Sequence, residues 1–391
     1  MGVADVGGGK MRIAYVYDAV HPWVTGGIQR RVAELGQRLG DEHDVHWFGT
    51  HSWDGPAVVE RDGVTLHGVA PPTPLYVDDG RRSVRQALSF TCHLARPLAA
   101  ERFDVVDFQE FPYLPALPCK LATLRHGTPL VVTWHEVWGD YWDEYLGVAG
   151  TAGKLAERGV GALADAHVAV SPLTRRRVAA LTGDPVDLVP NGIDLDAIRA
   201  VPPASDRYDV VYAGRLIPEK NVALLVRAVA RLAADDPDVR CRIVGDGPER
   251  GRIERLVATL GLEEQIELSG FLPEIEDVYG LMKAADVFAL PSRREGFGIS
   301  VLEAQACGTP VVTVAERMNA AADLVDDGTT GVVADSSPAA FAAALESARG
   351  LSARACIDAA SAYDWDVVAE RTLAGYERAV EGETVQPRRV A

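Results

Sequence analysis

The stretch that decides the fold is residues 284–314, "AADVFALPSRREGFGISVLEAQACGTPVVTV". Its ends, "AADVFALP" and "GTPVVTV", are short and rich in β-branched or aromatic residues, as buried strands are. Between them Ile299, Leu302 and Ala306 recur at helical spacing, which predicts a helix that begins near Gly298 and packs this stripe on a sheet. Strand, turn, helix, strand is the repeating unit of a parallel α/β sheet. Glu303 does not fit this pattern. It stands beside Leu302, Ala304 and Ala306 in the apolar part of the helix, and a buried carboxylate without a partner is costly. Glu295, eight residues earlier, lies in the turn just before the helix.

Two further stretches read as openings of separate doubly wound domains, each a strand running through glycine into an amphipathic helix. They are "MRIAYVYDAVHPWVTGGIQRRVAELGQRL" from Met11 and "YDVVYAGRLIPEKNVALLVRAVARL" from Tyr208. Strand candidates "FDVVDFQ", "PLVVTWHE", "AHVAVS" and "VDLVPNG" follow the first opening. "RCRIVGDGP", "QIELSGF", "DVFALPS", "PVVTV" and "GVVAD" follow the second. "HDVHWFGTH" at residues 43–51 reads as an ordinary edge strand rather than a metal site. Strands alternating with helices predict two parallel-sheet domains, with the seam in "RAVPPASDR", residues 199–207. The expected domains are 11–200 and 207–364, with a final helix over 365–382 from "YDWDVVAERTLAGYERAV".

Composition narrows the function. No apolar run reaches the ~18 residues of a membrane span, and the leader "MGVADVGGGK" lacks a signal-peptide core. A cytoplasmic location is expected, with peripheral contact at the inner membrane face left open. Five scattered cysteines without a C-x-x-C pair predict reduced thiols. A net charge of -17 argues against nucleic acid as a partner. Only five of the 39 basic residues are lysines, a pattern that fits a high-salt cytosol or a GC-rich genome equally well.

In open α/β domains ligands bind beyond the carboxyl ends of the strands. Gly214, Arg215 and Lys220, Gly245, Phe271 and Glu295 fall at such ends in the C-terminal half, and Gly26, Gly27 and His135 in the N-terminal half. A diphosphate accounts for much of this set. Gly298 admits close approach, a helix N-terminus offers N–H groups and a positive dipole, and Arg215 with Lys220 neutralises phosphate oxygens. Glu303 can accept from a ribose diol, and Glu295 from a second sugar. A salt bridge to a nearby arginine is the competing reading of Glu303.

Glu295-Gly-Phe-Gly-Ile-Ser-Val-Leu-Glu303 resembles the E-x7-E motif of retaining glycosyltransferases of family 4, which have the GT-B fold. The resemblance extends through "GGIQRRVAEL", "VPNGID", "YAGRLIPEKN", "VGDGPER", "LSGFLPE" and "GTPVVT", from Met11 to about Val380. It implies two Rossmann-like domains with a cleft between them, a C-terminal domain for a nucleotide-sugar, an N-terminal domain for the acceptor, and a last helix that returns to the first domain. Carried over by position, it puts Arg215 and Lys220 on the diphosphate, Glu303 on ribose and Glu295 near the donor sugar. Gly296, Phe297 and Gly298 supply backbone contacts, and Phe271 and Leu272 border the base. Gly26 and Gly27 face the diphosphate and acceptor, and His135 approaches the transferred sugar.

Structural readings compete with some of these. Gly26 and Gly27 can simply shape a turn, and "GDGP" can cap a helix. Asn191-Gly192 reads as a turn into a helix capped by Asp194 or Asp196.

The resemblance further implies transfer with retention of anomeric configuration. No residue is marked as a carboxylate nucleophile, so same-face substitution, with the leaving phosphate helping to deprotonate the acceptor, fits the groups better than double displacement. The D-x-D triplets "DLD", "DPD" and "DWD" lie away from the expected cleft, so no cofactor and no required divalent metal are expected. The acceptor is expected to be sugar- or lipid-linked. "WHEVWGDYWDEYLG" offers aromatics for it, and Arg81, Arg82, Arg85, Arg175, Arg176 and Arg177 offer charge for headgroups. Packed helices and solvated faces are the competing readings. Alternative functions are a GT-B-like sugar-nucleotide epimerase or phosphorylase, or a catalytically silent sugar-nucleotide-binding subunit.

Overall fold

The computed structural model describes residues 9–75 and 82–382. The chain divides into two compact units. Unit 1 takes everything up to Pro190 together with everything from Trp365, and unit 2 is the continuous run Asn191–Asp364.

Unit 1 is built on eight strands: β1 (Arg12–Val16), β2 (Asp44–Thr50), β3 (Val58–Arg61), β4 (Val64–Ala70), β5 (Val105–Gln109), β6 (Leu130–Trp134), β7 (Ala166–Ala169) and β8 (Val186–Leu188). They lie in the order β3-β4-β2-β1-β5-β6-β7-β8, parallel throughout except for the β3–β4 hairpin. Residues 43–51 therefore form an interior strand rather than the expected edge. The hairpin lies outside β2, and its short strand Val58–Arg61 is too polar to announce itself. The helices are α1 (Gly27–Gly40), α2 (Val84–Ala100), α3 (Ala116–His126), α4 (Tyr141–Leu146), α5 (Gly150–Leu163) and α6 (Pro172–Thr182).

Alternation along β1 feeds two cores, as side chains of a strand covered on both faces must. Ile13 and Tyr15 join Leu35 and Leu39 of α1, with Trp365 and Val368 from the end of the chain. Ala14 and Val16 join Phe90 and Leu94 of α2, Cys119 of α3, Val160 of α5 and Val178 of α6. Four helices thus cover one face of this sheet.

Unit 2 begins with α7 (Leu195–Ala200). Six parallel strands follow: β9 (Tyr208–Ala213), β10 (Cys241–Val244), β11 (Ile266–Gly270), β12 (Ala285–Leu290), then β14 (Val311–Val314) and β16 (Gly331–Ala334), in the order β11-β10-β9-β12-β14-β16. Two-residue strands β13 (Arg294–Glu295) and β15 (Met318–Asn319) pair separately. The helices are α8 (Val222–Asp235), α9 (Arg250–Leu260), α10 (Ile275–Lys283), α11 (Ile299–Ala306), α12 (Pro338–Ala348) and α13 (Ala353–Ala360). Then α14 (Trp365–Glu381) closes unit 1.

The division after Pro190 comes earlier than the prolines of residues 199–207 suggest. Asp194 caps α7 by accepting from the Ala197 N–H at 2.8 Å. At the other end, Lys283 of α10 donates to the carbonyls of Ile198 (2.6 Å), Arg199 (3.2 Å) and Val201 (2.5 Å). A cation on the last carbonyls of a helix C-terminus ties α7 to α10 of unit 2. Among the described residues, no helix is long and apolar enough to cross a membrane.

Candidate active site

In unit 2 the chain runs outward from β9 through β10 to β11, then returns to the other side of β9 as β12. Such a reversal leaves a crevice at the carboxyl ends of the two strands. Arg215 and Lys220 follow β9, and Glu295 follows β12, so three of the expected site residues flank that reversal.

Their loops are tied together by main chain. The N–H of Gly214 donates to the Val244 carbonyl, that of Leu216 to Asp246, that of Glu249 to Leu216, and that of Gly245 to Gly270. Gly245 has φ 136, and a Cβ there would stand 1.9 Å from the Gly214 carbonyl oxygen. Glycine is required at Gly245 because two loops touch backbone to backbone. Between them Leu216 is buried, while the Arg215 side chain is exposed and without a charged partner among the described residues.

Lys220 forms an ion pair with Glu295, and Ser292 donates to the same carboxylate oxygen at 2.8 Å. The two residues expected to serve different parts of a ligand thus hold each other. Gly296 follows directly. Phe297 is buried with its ring 6.4 Å from that of Tyr363, which leaves only its backbone for a ligand. Gly298 adopts φ 97 and ψ 55 ahead of α11, where a Cβ would come 2.7 Å from the Cβ of Ala321. No side chain among the described residues caps α11, and the Val301 N–H turns back to the Gly298 carbonyl, which leaves the N–H groups of Ile299 and Ser300 without a described partner at its N-terminus. Glu303, one turn in, is buried and accepts from the Tyr279 hydroxyl at 3.0 Å. The Tyr279 hydroxyl is thus one partner of this buried carboxylate. Phe271, at the end of β11, is 73 % exposed and has no part in the core, and Leu272 beside it is half-buried.

In unit 1 the chain order reverses between β1 and β5. Gly26 and Gly27 form the uncapped N-terminus of α1, after β1. Gly26 is extended, and a side chain there would displace only the tip of Gln29. His135, at the end of β6, is buried, and its Nε2 lies 2.8 Å from Gln109 Oε1. The Gln109 amide nitrogen donates to Asp107 at 3.0 Å, so its oxygen is the acceptor. His135 is accordingly protonated on Nε2, leaving Nδ1 as a bare acceptor. Burial first, and then the Arg31 charge, hold this imidazole well below its usual range, so it is neutral.

Residues that sequence reasoning missed complete the arrangement. Asp107, in the middle of β5, accepts from Thr133 (2.8 Å), Gln109 and Tyr376 of α14 (2.5 Å). Burial pushes its carboxyl up, against the pull of these donors and of Arg31. Arg31 of α1 is itself buried and donates to the Pro190 carbonyl. The signal was present in "FDVVDFQE", a carboxylate inside an otherwise apolar strand. Glu110 was also missed. It accepts the backbone N–H of His135 at 3.0 Å and of Glu136 at 3.3 Å, and burial raises its carboxyl to about 8.

The aromatics of "WHEVWGDYWDEYLG" pack largely on one another: Trp138 lies 4.6 Å from Trp142 and 5.0 Å from Tyr145. Of the arginines offered for headgroups, Arg81 lies outside the described residues. Arg82 turns inward to pair with buried Asp18 at 2.5 Å, and Arg177 donates to the Val137 carbonyl. Among the described residues, one group gathers metal-ligating types, His46, His67 and Glu101. Arg12 occupies it, 2.9 Å from Glu101 and 3.1 Å from His46, while His46 and His67 bond each other at 2.8 Å.

Comparison with known proteins bears on these groups. The family described as "Glycosyl transferases group 1" matches residues 195–353, and "Glycosyltransferase Family 4" matches residues 25–197. A D-inositol 3-phosphate glycosyltransferase of Geodermatophilus obscurus is 32% identical over 397 aligned positions, covering 91% of this chain and 85% of the relative. A GDP-mannose-dependent alpha-(1-6)-phosphatidylinositol monomannoside mannosyltransferase of Mycolicibacterium smegmatis is 37% identical over 201 positions, 46% of this chain and 52% of that protein. Among solved structures, a sucrose-phosphate synthase of Thermosynechococcus elongatus superposes with a TM-score of 0.79 at 21% identity, covering 94% of this chain and 99% of the other.

Proposed function

The chain belongs to glycosyltransferase family 4, with the GT-B fold, and from that premise we propose that it moves a sugar from a nucleotide-sugar donor to an acceptor hydroxyl with retention of configuration. The observation that carries this reading is the grouping of Arg215, Lys220, Glu295 and the uncapped α11 at the carboxyl ends of β9 and β12. Cations and helix N–H groups suit a diphosphate.

Unit 2 is the donor unit in this reading. Arg215, exposed and without a charged partner among the described residues, takes one phosphate. Lys220 exchanges Glu295 for the other phosphate, which releases the Glu295 carboxylate to accept from hydroxyls of the donor sugar. Glu303 accepts from ribose beside Tyr279, Phe271 and Leu272 border the base, and the backbone at Gly296, Phe297 and Gly298 lines the phosphates. As the glycosidic bond to phosphate breaks, negative charge grows on the leaving diphosphate. Arg215, Lys220 and the α11 N-terminus stabilise it where it forms. The leaving phosphate oxygen accepts the acceptor's proton on the same face, and no divalent metal is required.

Unit 1 is the acceptor unit. Gly26 and Gly27 present backbone N–H groups, and neutral His135 accepts a sugar hydroxyl through Nδ1. The acceptor is a polyol or sugar hydroxyl, free or lipid-linked, consistent with the inositol phosphate and phosphatidylinositol mannoside in the relatives' names. A panel of UDP-, GDP- and ADP-sugars tests the reading by thermal shift and by slow donor hydrolysis. One donor should both raise the melting temperature and be hydrolysed; a panel in which none does either overturns it.

A further inference from the structure

The four helices on one face of the unit 1 sheet, α2, α3, α5 and α6, differ in charge from the rest of the chain. The protein has 56 acidic against 39 basic residues. These helices carry nine lysines and arginines against a single acid, Glu157, and Glu157 is buried. Their outward surface therefore offers no helix carboxylate at all. Arg85, Arg96, Arg125, Arg158 and Arg175 are exposed on it, and none forms an ion pair with a described residue. Elsewhere in the chain acids outnumber bases, so five unpaired guanidinium groups on adjoining helices that expose no carboxylate of their own set this face apart and suit an anionic partner.

The centre of the same surface is apolar. α3 lies beside α2 on one side and α5 on the other. Its inner face buries Ala116, Cys119 and Ala122, and its outer face carries Leu117, Leu121 and Leu124 at helical spacing, 56 %, 62 % and 64 % exposed. Leu88 of α2 and Leu155 of α5, on the two helices that α3 touches, are also exposed. Leucines grouped on one outer face, with a basic border, are more than scattered surface residues.

We propose that this face docks on an anionic lipid surface, the leucines of α3 entering the headgroup region and the arginines meeting lipid phosphates. Arginine suits the border because its stem packs on apolar surface while its fork binds phosphate. Nucleic acid would use the arginines but not the leucine stripe, and a second copy of the chain would bring the same five cations against themselves. The inference goes beyond sugar transfer and stands without it, since docking needs no donor.

The test is co-sedimentation of the full chain with vesicles of phosphatidylcholine alone and of equal parts phosphatidylcholine and phosphatidylglycerol, at low and high salt. The wild type should bind only the anionic vesicles and release with salt. Combined Leu117→Asp, Leu121→Asp and Leu124→Asp, and separately combined Arg96→Ser, Arg125→Ser and Arg158→Ser, should each weaken binding about tenfold or more. Leu260→Asp, exposed on unit 2, should not. All replaced side chains are exposed, so the fold, checked by circular dichroism, should survive. Failure of the wild type to bind anionic vesicles overturns the proposal. So does wild-type affinity in both combined variants, or a concentration-dependent dimer that the leucine variant abolishes without any vesicle binding.

Discussion

Glu110 gives the sharpest test of the unit 1 arrangement. Burial holds its carboxyl at about 8, against roughly 4.3 in an unfolded chain. The folded protein therefore keeps a proton there over a range in which the unfolded chain has lost it, and stability falls as pH rises through that range. Each pH unit between the two values costs about 1.4 kcal/mol. From pH 5 to pH 8, with the folded group half ionised at the end, the loss comes to about 3 to 4 kcal/mol. Glu110→Gln removes the titration while keeping an oxygen for one of the N–H groups of His135 and Glu136. The variant should therefore gain on the wild type by that amount between the two pH values. Urea unfolding followed by tryptophan fluorescence reads it cleanly, because all seven tryptophans belong to unit 1. A stability difference between the two proteins that is the same at pH 5 and pH 8 would refute the reasoning and show Glu110 to be ionised in the fold throughout.

Three further predictions concern unit 2. Arg215→Ala and Lys220→Ala should each weaken nucleoside diphosphate binding by about 1.5 to 3 kcal/mol, measured by calorimetry; unchanged affinity in both removes the diphosphate from this loop. Glu303→Gln should weaken that binding, whereas Glu295→Gln should leave it nearly intact and reduce sugar transfer; equal losses of affinity end the division of roles. Turnover should persist after thorough chelation, because the aspartate triplets cap α7, follow α8 and open α14 rather than border β9 and β12; complete, metal-reversible loss in a folded protein counts against it.

What the sequence revealed depended on how local the cause was. The helix after Gly298 was legible because its apolar spacing, its glycine and its flanking strands all lie within residues 284–314. The partners of those residues were not. Nothing near Glu303 announces Tyr279, and nothing near Lys220 announces Glu295, 75 positions away. "GDGP" read as a ligand-facing loop, with a helix cap as the competing reading, and neither announces that a Cβ at Gly245 would meet the Gly214 carbonyl on the neighbouring strand's loop. The seam misled because prolines mark irregular chain, whereas the grip of Lys283 on α7 decides where unit 2 starts. Asp107 could have been suspected, since a carboxylate in a buried strand must be answered by something, but Tyr376 lies 269 residues on.

That distance between Asp107 and Tyr376 has a consequence for how the protein is made. Unit 2 is one unbroken run, so the ribosome has delivered all of it once Asp364 emerges. Unit 1 at that moment still lacks Trp365 and Val368 from its core, and its buried Asp107 still lacks the Tyr376 hydroxyl. Domains tend to fold as they emerge, yet here the unit that appears first must wait until the second has been translated. A message cut short anywhere between the codons for Asn191 and Asp364 therefore damages both units, and one cut just after Asp364 leaves unit 2 whole beside an unfinished unit 1.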